Sequence, residues 1–143
     1  MGMLGMKFNE TEMAETLDAQ LLFADEAVEA SVYATFQDTG FFASSRRIIT
    51  GYAGITNRNR LIGLRCGLIS SEPFSVDLSC LTKLKVKKSL FGMWQIYLEY
   101  FAGRKVRLKF SFSPKILGHK FPNQRENTDI LVRRLQEFQP LGR

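Results

Sequence analysis

The stretch MWQIYLEYFAGRKVRLKFSF, residues 93–112, decides the fold. Before Gly103 the even-numbered positions from Trp94 are apolar or aromatic, and the same parity continues after it as far as Phe112. Alternation with a period of two is typical of half-buried strands, and a short link containing glycine is typical of a hairpin. This stretch therefore predicts two antiparallel strands with one face in the core and the other in water.

The same period of two extends toward the N-terminus. Turn-type residues at 38–40, 57–59 and 70–73 divide this part of the chain into segments. The predicted strands cover residues 28–37, 47–56, 60–68, 74–78, 84–89, 93–100 and 105–112. Short consecutive strands with hairpin-length links favour a mainly β fold built from one bent antiparallel sheet, a sandwich or a partly open barrel.

A helix is predicted on each side of the strands. Residues 9–24 begin with cap-type and acidic side chains and continue with apolar residues at helical spacing. Residues 123–138 place Leu131, Leu135 and Phe138 on one side of a second amphipathic helix. We expect this second helix to cover the open end of the sheet with its apolar side.

Composition is that of one folded domain. The chain has 143 residues, of which 45% are hydrophobic and 24% charged. No run of about 18 apolar residues occurs, so we expect a soluble protein without a transmembrane segment. The formal net charge of +6 is unevenly distributed, because residues 1–30 hold one base and seven acids while the remainder holds nineteen bases and seven acids. A segment of net charge −6 that contains the first helix thus precedes a remainder of net charge +12, and we consider that this helix docks on a basic strand face of this chain or of a neighbour.

The cysteines and the first residues predict a cytoplasmic protein. Cys66 and Cys80 lie in strand-like apolar surroundings without CxxC spacing, so we expect buried thiols in a reducing compartment. The first twenty residues lack the basic region and apolar run of a secretory signal.

Residues suited to catalysis are sparse. His119 is the only histidine, and neither a GxSxG motif nor a glycine-rich phosphate loop accompanies it. One histidine and two cysteines without ligand spacing do not provide a recognisable metal site. We therefore predict a protein that is not an enzyme and has no catalytic residues, cofactor or metal.

Two predicted strands carry basic side chains on the face opposite their apolar residues. The candidate binding residues are Lys83, Lys85 and Lys87 on one strand and Arg104, Lys105, Arg107 and Lys109 on the other. In one sheet these side chains would form a patch that attracts anionic lipid headgroups, nucleic-acid phosphates or an acidic protein surface. The alternative is that outward-facing lysines only keep the sheet solvated and discourage edge pairing. Nucleic acid is the weakest option, because the outward aromatics Tyr33 and Tyr97 lack the aromatic neighbours that base stacking needs.

Three short segments resemble the bacterial pleckstrin-homology-like (PH-like) family. They are ITNRNRLI at residues 55–62, FSVDL at 74–78 followed by Leu81, and KSLFG at 88–92. In that family a T-N-x-R-L strand precedes an x-I-P-L strand, a K-S-x-x-G strand, a hairpin and a C-terminal helix. The resemblance covers about residues 26–138 and implies a seven-stranded antiparallel barrel of two near-orthogonal sheets capped by one helix. The chain would then divide into an acidic N-terminal helical extension, residues 1–25, and a PH-like barrel, residues 26–143.

The function expected from these residues is that of a noncatalytic interaction module. The first hypothesis is binding of a protein partner or self-association into a homo-oligomer, since Phe41, Phe42, Phe91, Met93 and Phe121 fall in predicted loops or strand ends that a partner could cover. The same side chains would otherwise pack on their own core. The alternative hypothesis is peripheral binding to anionic lipid headgroups through the basic strand face, and nucleic-acid binding is third.

Overall fold

The computed structural model describes residues 6–37, 48–67, 71–116 and 118–139. The predicted order of one helix, seven strands and a second helix is confirmed. The elements are α1 (Glu10–Asp18), β1 (Val28–Gln37), β2 (Ile48–Thr56), β3 (Arg60–Cys66), β4 (Ser71–Asp77), a 3₁₀ turn (Leu78–Cys80), β5 (Leu81–Lys88), β6 (Trp94–Phe101), β7 (Lys105–Phe112) and α2 (Gln124–Gln136). Phe41, Phe42 and the start of the second predicted strand lie outside the described residues.

All seven strands belong to one antiparallel sheet in the order β4-β3-β2-β1-β7-β6-β5. Strands β4 and β5 form its two edges, so the sheet is not closed. β1 pairs with β2 along nearly its whole length but with β7 at Thr35–Ser111 and Phe36–Phe110. The sheet thus consists of two halves, β1 to β4 and β5 to β7, that share a short junction.

The side chain of Gln124 takes the place of strand pairing beside this junction. The Tyr33 backbone N–H donates to Gln124 Oε1 at 3.0 Å, and Gln124 Nε2 donates to the Tyr33 carbonyl at 3.0 Å and the Ser113 carbonyl at 3.1 Å. Gln124 is 2% exposed, so these bonds satisfy backbone groups that would otherwise be buried without partners. They also fix the start of α2 to the centre of β1.

The main core lies between the inner face of the sheet and α2. Leu131 and Leu135 are fully buried in it, and Phe138 packs against it, in agreement with the helix face predicted from the sequence. Gly63 makes room for an aromatic ring, because a Cβ there would lie 2.2 Å from Cζ of Phe74. The absence of a side chain at Gly63 is thus matched to the large ring of Phe74, its partner on β4.

A second apolar cluster covers the outer face of β1 to β3. It contains Met13 and Leu17 from α1, Tyr52, Ile62 and Phe121. A Cβ on Gly54 would lie 2.9 Å from Cδ1 of Leu17, so the helix lies very close to the sheet at this position. Within the described chain the acidic helix thus packs on β1, β2 and β3.

Polar contacts hold α1 at both ends. The Tyr52 hydroxyl donates to the Glu12 carboxylate at 2.6 Å, and the Asn123 backbone N–H donates to the Glu10 carboxylate at 2.6 Å. The Gln20 side-chain amide donates to the Gly63 carbonyl at 2.9 Å. These bonds connect the first helix to the middle of the sheet and to the start of α2.

Two predictions about individual residues are wrong. α1 ends at Asp18 and not at residue 24: the Gln20 and Leu21 backbone N–H groups donate to the carbonyls of Leu17 and Asp18, three residues back, and the Glu26 carboxylate accepts the Leu22 backbone N–H. Cys80 is exposed because it ends the 3₁₀ turn. Of the two alternatives for Phe121, packing on its own chain is observed: it is 6% exposed, and its ring stacks on Tyr33 with the centroids 4.7 Å apart.

Candidate binding surface on strands β5 to β7

The outer face of β5, β6 and β7 carries six of the seven basic residues predicted as a binding site. The strand register places them in cross-strand rows: Lys83–Glu99–Arg107, Lys85–Tyr97–Lys109 and Lys87–Gln95–Ser111, with Lys105 opposite Phe101. We call the surface formed by Lys105 and the side chains of the three rows the basic face. Its lysines and arginine are exposed, as expected for the wet side of strands whose other side enters the core.

The seventh predicted residue is placed differently. Arg104 lies in the turn between β6 and β7, directly after Gly103, whose φ of 74° favours glycine. Sequence alternation alone does not distinguish the last turn residue from the first strand residue. Arg104 is therefore exposed at the end of the hairpin, outside the cross-strand rows.

A shallow groove of about 370 Å³ crosses the basic face. Its lining residues are Lys83, Lys85, Lys87, Gln95, Ile96, Tyr97 and Lys109. Four of these seven side chains are lysines, and the groove has no carboxylate among its lining residues. Its chemistry therefore suits a phosphate or another anionic group.

One end of the basic face contains an acid that the sequence did not reveal as part of it. Glu99 lies 3.1 Å from Lys105 Nζ and 4.0 Å from Arg107 Nε, and it accepts a hydrogen bond from the Tyr97 hydroxyl. The Tyr97 hydrogen bond and then Lys105 hold the pKa of Glu99 below its usual value, and the same bond raises the pKa of Tyr97. Glu99 thus partly neutralises Lys105 and Arg107.

The other end keeps its positive charge. Among the described residues no carboxylate forms an ion pair with Lys85, Lys87 or Lys109. Lys88 Nζ lies 5.6 Å from the ring centroid of Trp94, a cation–π arrangement at the end of the same hairpin. The free cations are therefore concentrated toward the β5–β6 turn.

That turn ends in apolar side chains. Leu90 is 100% exposed, Phe91 96% and Met93 40%. The sequence predicts Phe91 and Met93 in loops or strand ends, and both side chains are exposed. The exposure of Leu90 was not predicted. Its signal was present in SLFG, in which two large apolar residues stand between a serine and a turn glycine.

Other chemistry is scarce in the structure. His119 is exposed in the segment before α2, and no group of three or more His, Cys, Asp or Glu side chains suited to a metal ion occurs among the residues that the structure describes. Cys66 is buried, which raises the pKa of its thiol and lowers its reactivity at neutral pH. These residues give no geometry for a nucleophile with a positioned base.

Comparison with known proteins adds no family. No protein-family model matches the chain, and no curated protein is similar to it in sequence. In the described parts of the chain, no helix has both the length and the apolar character that crossing a membrane requires.

Proposed function

We propose that the protein is a noncatalytic PH-like module that binds the anionic surface of a membrane peripherally, through the basic face. The seven strands in this proposal form a barrel of two near-orthogonal sheets capped by α2. Attachment at the cytoplasmic surface of a membrane is part of the proposal.

The arrangement of the sheet supports the PH-like part. β1 to β4 and β5 to β7 form consecutive antiparallel sets that meet at two residue pairs, Thr35–Ser111 and Phe36–Phe110. α2 covers the inner face, and the segment resembling the family's T-N-x-R-L motif spans the turn from β2 to β3. Helix α1 is an addition that covers the outer face of the first half.

The single observation that carries the membrane proposal is the group of cations around the groove. Lys85, Lys87 and Lys109 lie on adjacent strands, and no described carboxylate neutralises them. A lysine close to an anionic bilayer contributes about 1 kcal/mol of electrostatic attraction, and several act together on one surface. A bilayer also presents many headgroups to a face that is broad and open.

The test is binding to lipid vesicles at low and physiological salt. We expect the protein to sediment with vesicles that contain phosphatidylserine and not with pure phosphatidylcholine, and the binding to weaken steeply as salt screens the charges. The double variant Lys85→Glu with Lys109→Glu should abolish binding. Lys115→Glu with Lys120→Glu is the matched control, because it makes the same charge change at exposed positions outside the basic face. Binding that survives the first variant unchanged contradicts the proposal.

Self-association is the second candidate, favoured by the exposed apolar side chains of Leu90 and Phe91. Light scattering would then give a mass that is a multiple of 16.3 kDa at high protein concentration. Phe91→Ser should return that mass to the monomer value. A monomer at all concentrations argues against this candidate.

A further inference from the structure

The β5–β6 turn presents two neighbouring apolar side chains entirely to solvent. Single exposed apolar residues are ordinary on protein surfaces, but Leu90 and Phe91 are adjacent in the chain and are 100% and 96% exposed. Neither side chain is among those that pack against the two apolar clusters of the described residues. The two apolar clusters therefore pack without these two side chains.

Hydrogen bonds within the turn hold these side chains outward. Ser89 Oγ accepts the backbone N–H groups of Phe91 at 3.3 Å and Met93 at 3.2 Å. The Gly92 N–H donates to the Ser89 carbonyl at 3.1 Å, and the Ser89 N–H donates to the Met93 carbonyl at 2.8 Å. Gly92 has a φ of 82°, in the left-handed region that favours glycine. We call this turn, residues 89–93, the tip. It is ordered, and its backbone N–H donors are largely satisfied, which lowers the free-energy cost of moving it into an apolar medium.

The tip lies at the positive end of the basic face. Lys88 immediately precedes it, and Lys87 and Lys85 follow along β5. Glu99 lies opposite Lys83. At roughly 3.3 Å per residue, this pair lies about 13 Å further from the tip than Lys87 does. Moving away from the tip, the surface is therefore first apolar, then cationic, and finally partly neutralised by Glu99.

We propose that Leu90 and Phe91 insert into the acyl-chain boundary of an anionic lipid bilayer while Lys85, Lys87 and Lys88 contact its headgroups. This inference rests on the proposed function, in which the basic face adsorbs to such a surface. A projecting apolar tip next to three lysines of β5 matches the depth profile of a bilayer, where headgroup phosphates lie above hydrocarbon. Lys88 over Trp94 adds the aromatic and cationic pair that favours the membrane interface.

The protein contains its own reporter for this insertion. Trp94 is the only tryptophan, and it begins β6 directly after the tip. Vesicles of phosphatidylserine and brominated phosphatidylcholine should quench Trp94 fluorescence when wild-type protein binds. The double variant Leu90→Ser with Phe91→Ser should lose the quenching. It should also bind at least about tenfold more weakly at physiological salt, because it lacks the two apolar side chains that the bilayer buries. At low salt it should still sediment with the vesicles through its cations.

Phe101→Ser is the matched control. Phe101 is 71% exposed at the β6–β7 turn, the opposite end of the same strands, so the control also replaces a large exposed apolar side chain. Its vesicle binding and Trp94 quenching should equal those of the wild type. Thermal unfolding should be the same for both variants and the wild type, since neither tip side chain contacts the core.

The outcomes separate insertion from adsorption. Undiminished binding by the tip variant, or wild-type protein bound to vesicles without quenching, overturns insertion, and no vesicle binding under any condition overturns both proposals. If the tip variant loses binding while charge reversal at Lys85 and Lys109 has no effect, insertion stands and electrostatic adsorption fails. If the wild-type protein is a dimer that Phe91→Ser converts to a monomer, and vesicles do not quench Trp94, the tip binds a second copy of the chain. That result overturns insertion.

Discussion

Glu26 shows how one buried charge joins three parts of the chain. Its carboxylate accepts from Arg60 at 2.7 and 2.8 Å, from the Thr56 hydroxyl at 2.7 Å and from the Leu22 backbone at 2.8 Å. Arg60 also donates to Ser75 on β4 at 2.6 Å. Burial alone would disfavour the ionised carboxylate, but these hydrogen bonds outweigh it and lower the pKa of Glu26 to about 2.

Replacing Glu26 therefore predicts a specific loss of stability. Glu26→Gln leaves the Arg60 guanidinium buried without its counter-charge and should lower the free energy of unfolding by about 3 kcal/mol at neutral pH. Since the folded protein lowers the pKa from 4.5 to about 2, the ionised form contributes stability above pH about 4.5 that is lost as the pH falls toward 2. The difference between wild type and variant in urea unfolding should shrink over that interval.

Asp25→Asn is the matched control for this prediction. Asp25 pairs with Arg58 at 2.7 Å, but the two side chains are 69% and 47% exposed. Exposed pairs contribute little to stability because water and salt screen them, so this neighbouring change should have little effect. Equal effects of the two substitutions would show that burial of the Glu26–Arg60 pair has no energetic consequence.

At the scale of the elements, α1 depends on one close contact with the sheet. Leu17 is fully buried, and its Cδ1 occupies the space that a side chain on Gly54 would need. Leu17→Ala should lower the free energy of unfolding by roughly 2–5 kcal/mol through loss of burial and a cavity. Gly54→Ala should also destabilise, because its methyl group would lie 2.9 Å from Leu17 Cδ1 and 3.1 Å from the Ala30 carbonyl.

The double variant distinguishes this contact from two independent effects. Removing Leu17 Cδ1 relieves part of the crowding at Gly54, so Leu17→Ala with Gly54→Ala should lose less stability than the sum of the single variants. Urea unfolding of the four proteins measures the difference. Strict additivity would mean that α1 does not press on β2 at this glycine.

Sequence alternation predicted most strands well, and its failures have physical causes. The prediction for β4 began at residue 74, after Pro73, yet the strand begins at Ser71. β4 is an edge strand, where proline removes no required ladder bond. β5 begins at Leu81 and not at residue 84, because the register shift between Leu81 and Lys83 interrupts the alternation.

The candidate site was predictable strand by strand but not across strands. The alternation assigned Lys85 and Lys109 to outward faces, and the structure places both outward. That Glu99 would lie between Lys83 and Arg107 depends on the register of three strands, which the pattern of one strand does not contain. The burial of Phe121 likewise depends on Tyr33, nearly ninety positions earlier in the chain.

In the whole molecule, the helices and the exposed lysines cover different parts of one sheet. α2 covers the inner face, α1 covers the outer face of β1 to β3, and the outer face of β5 to β7 carries exposed lysines. The apolar tip projects from one end of that last surface. The proposed insertion therefore predicts that the protein binds a vesicle in a single orientation, with the β5–β6 turn toward the lipid.

Cys80 allows that orientation to be measured. It is exposed and precedes β5, whose eight residues at roughly 3.3 Å each separate it from the tip by about 26 Å. Cys66 is buried, so a polarity-sensitive fluorophore should label Cys80 selectively. On brominated vesicles the emission spectrum of the label should be the same as in vesicle-free buffer, while Trp94 fluorescence is quenched. A blue shift of the label equal to that of a tip-placed fluorophore would contradict a single orientation.

The bond between Glu10 and Asn123 joins residues 113 positions apart, and it has a consequence for biosynthesis. α1 emerges from the ribosome before Phe121 and Asn123, two of its contacts, which are made more than a hundred residues later. Until these residues are made, the apolar side of the helix lacks part of its set of neighbours. Docking of α1 is thus complete only after residue 123 has been made, and until then chaperones that bind exposed apolar segments can bind its apolar side.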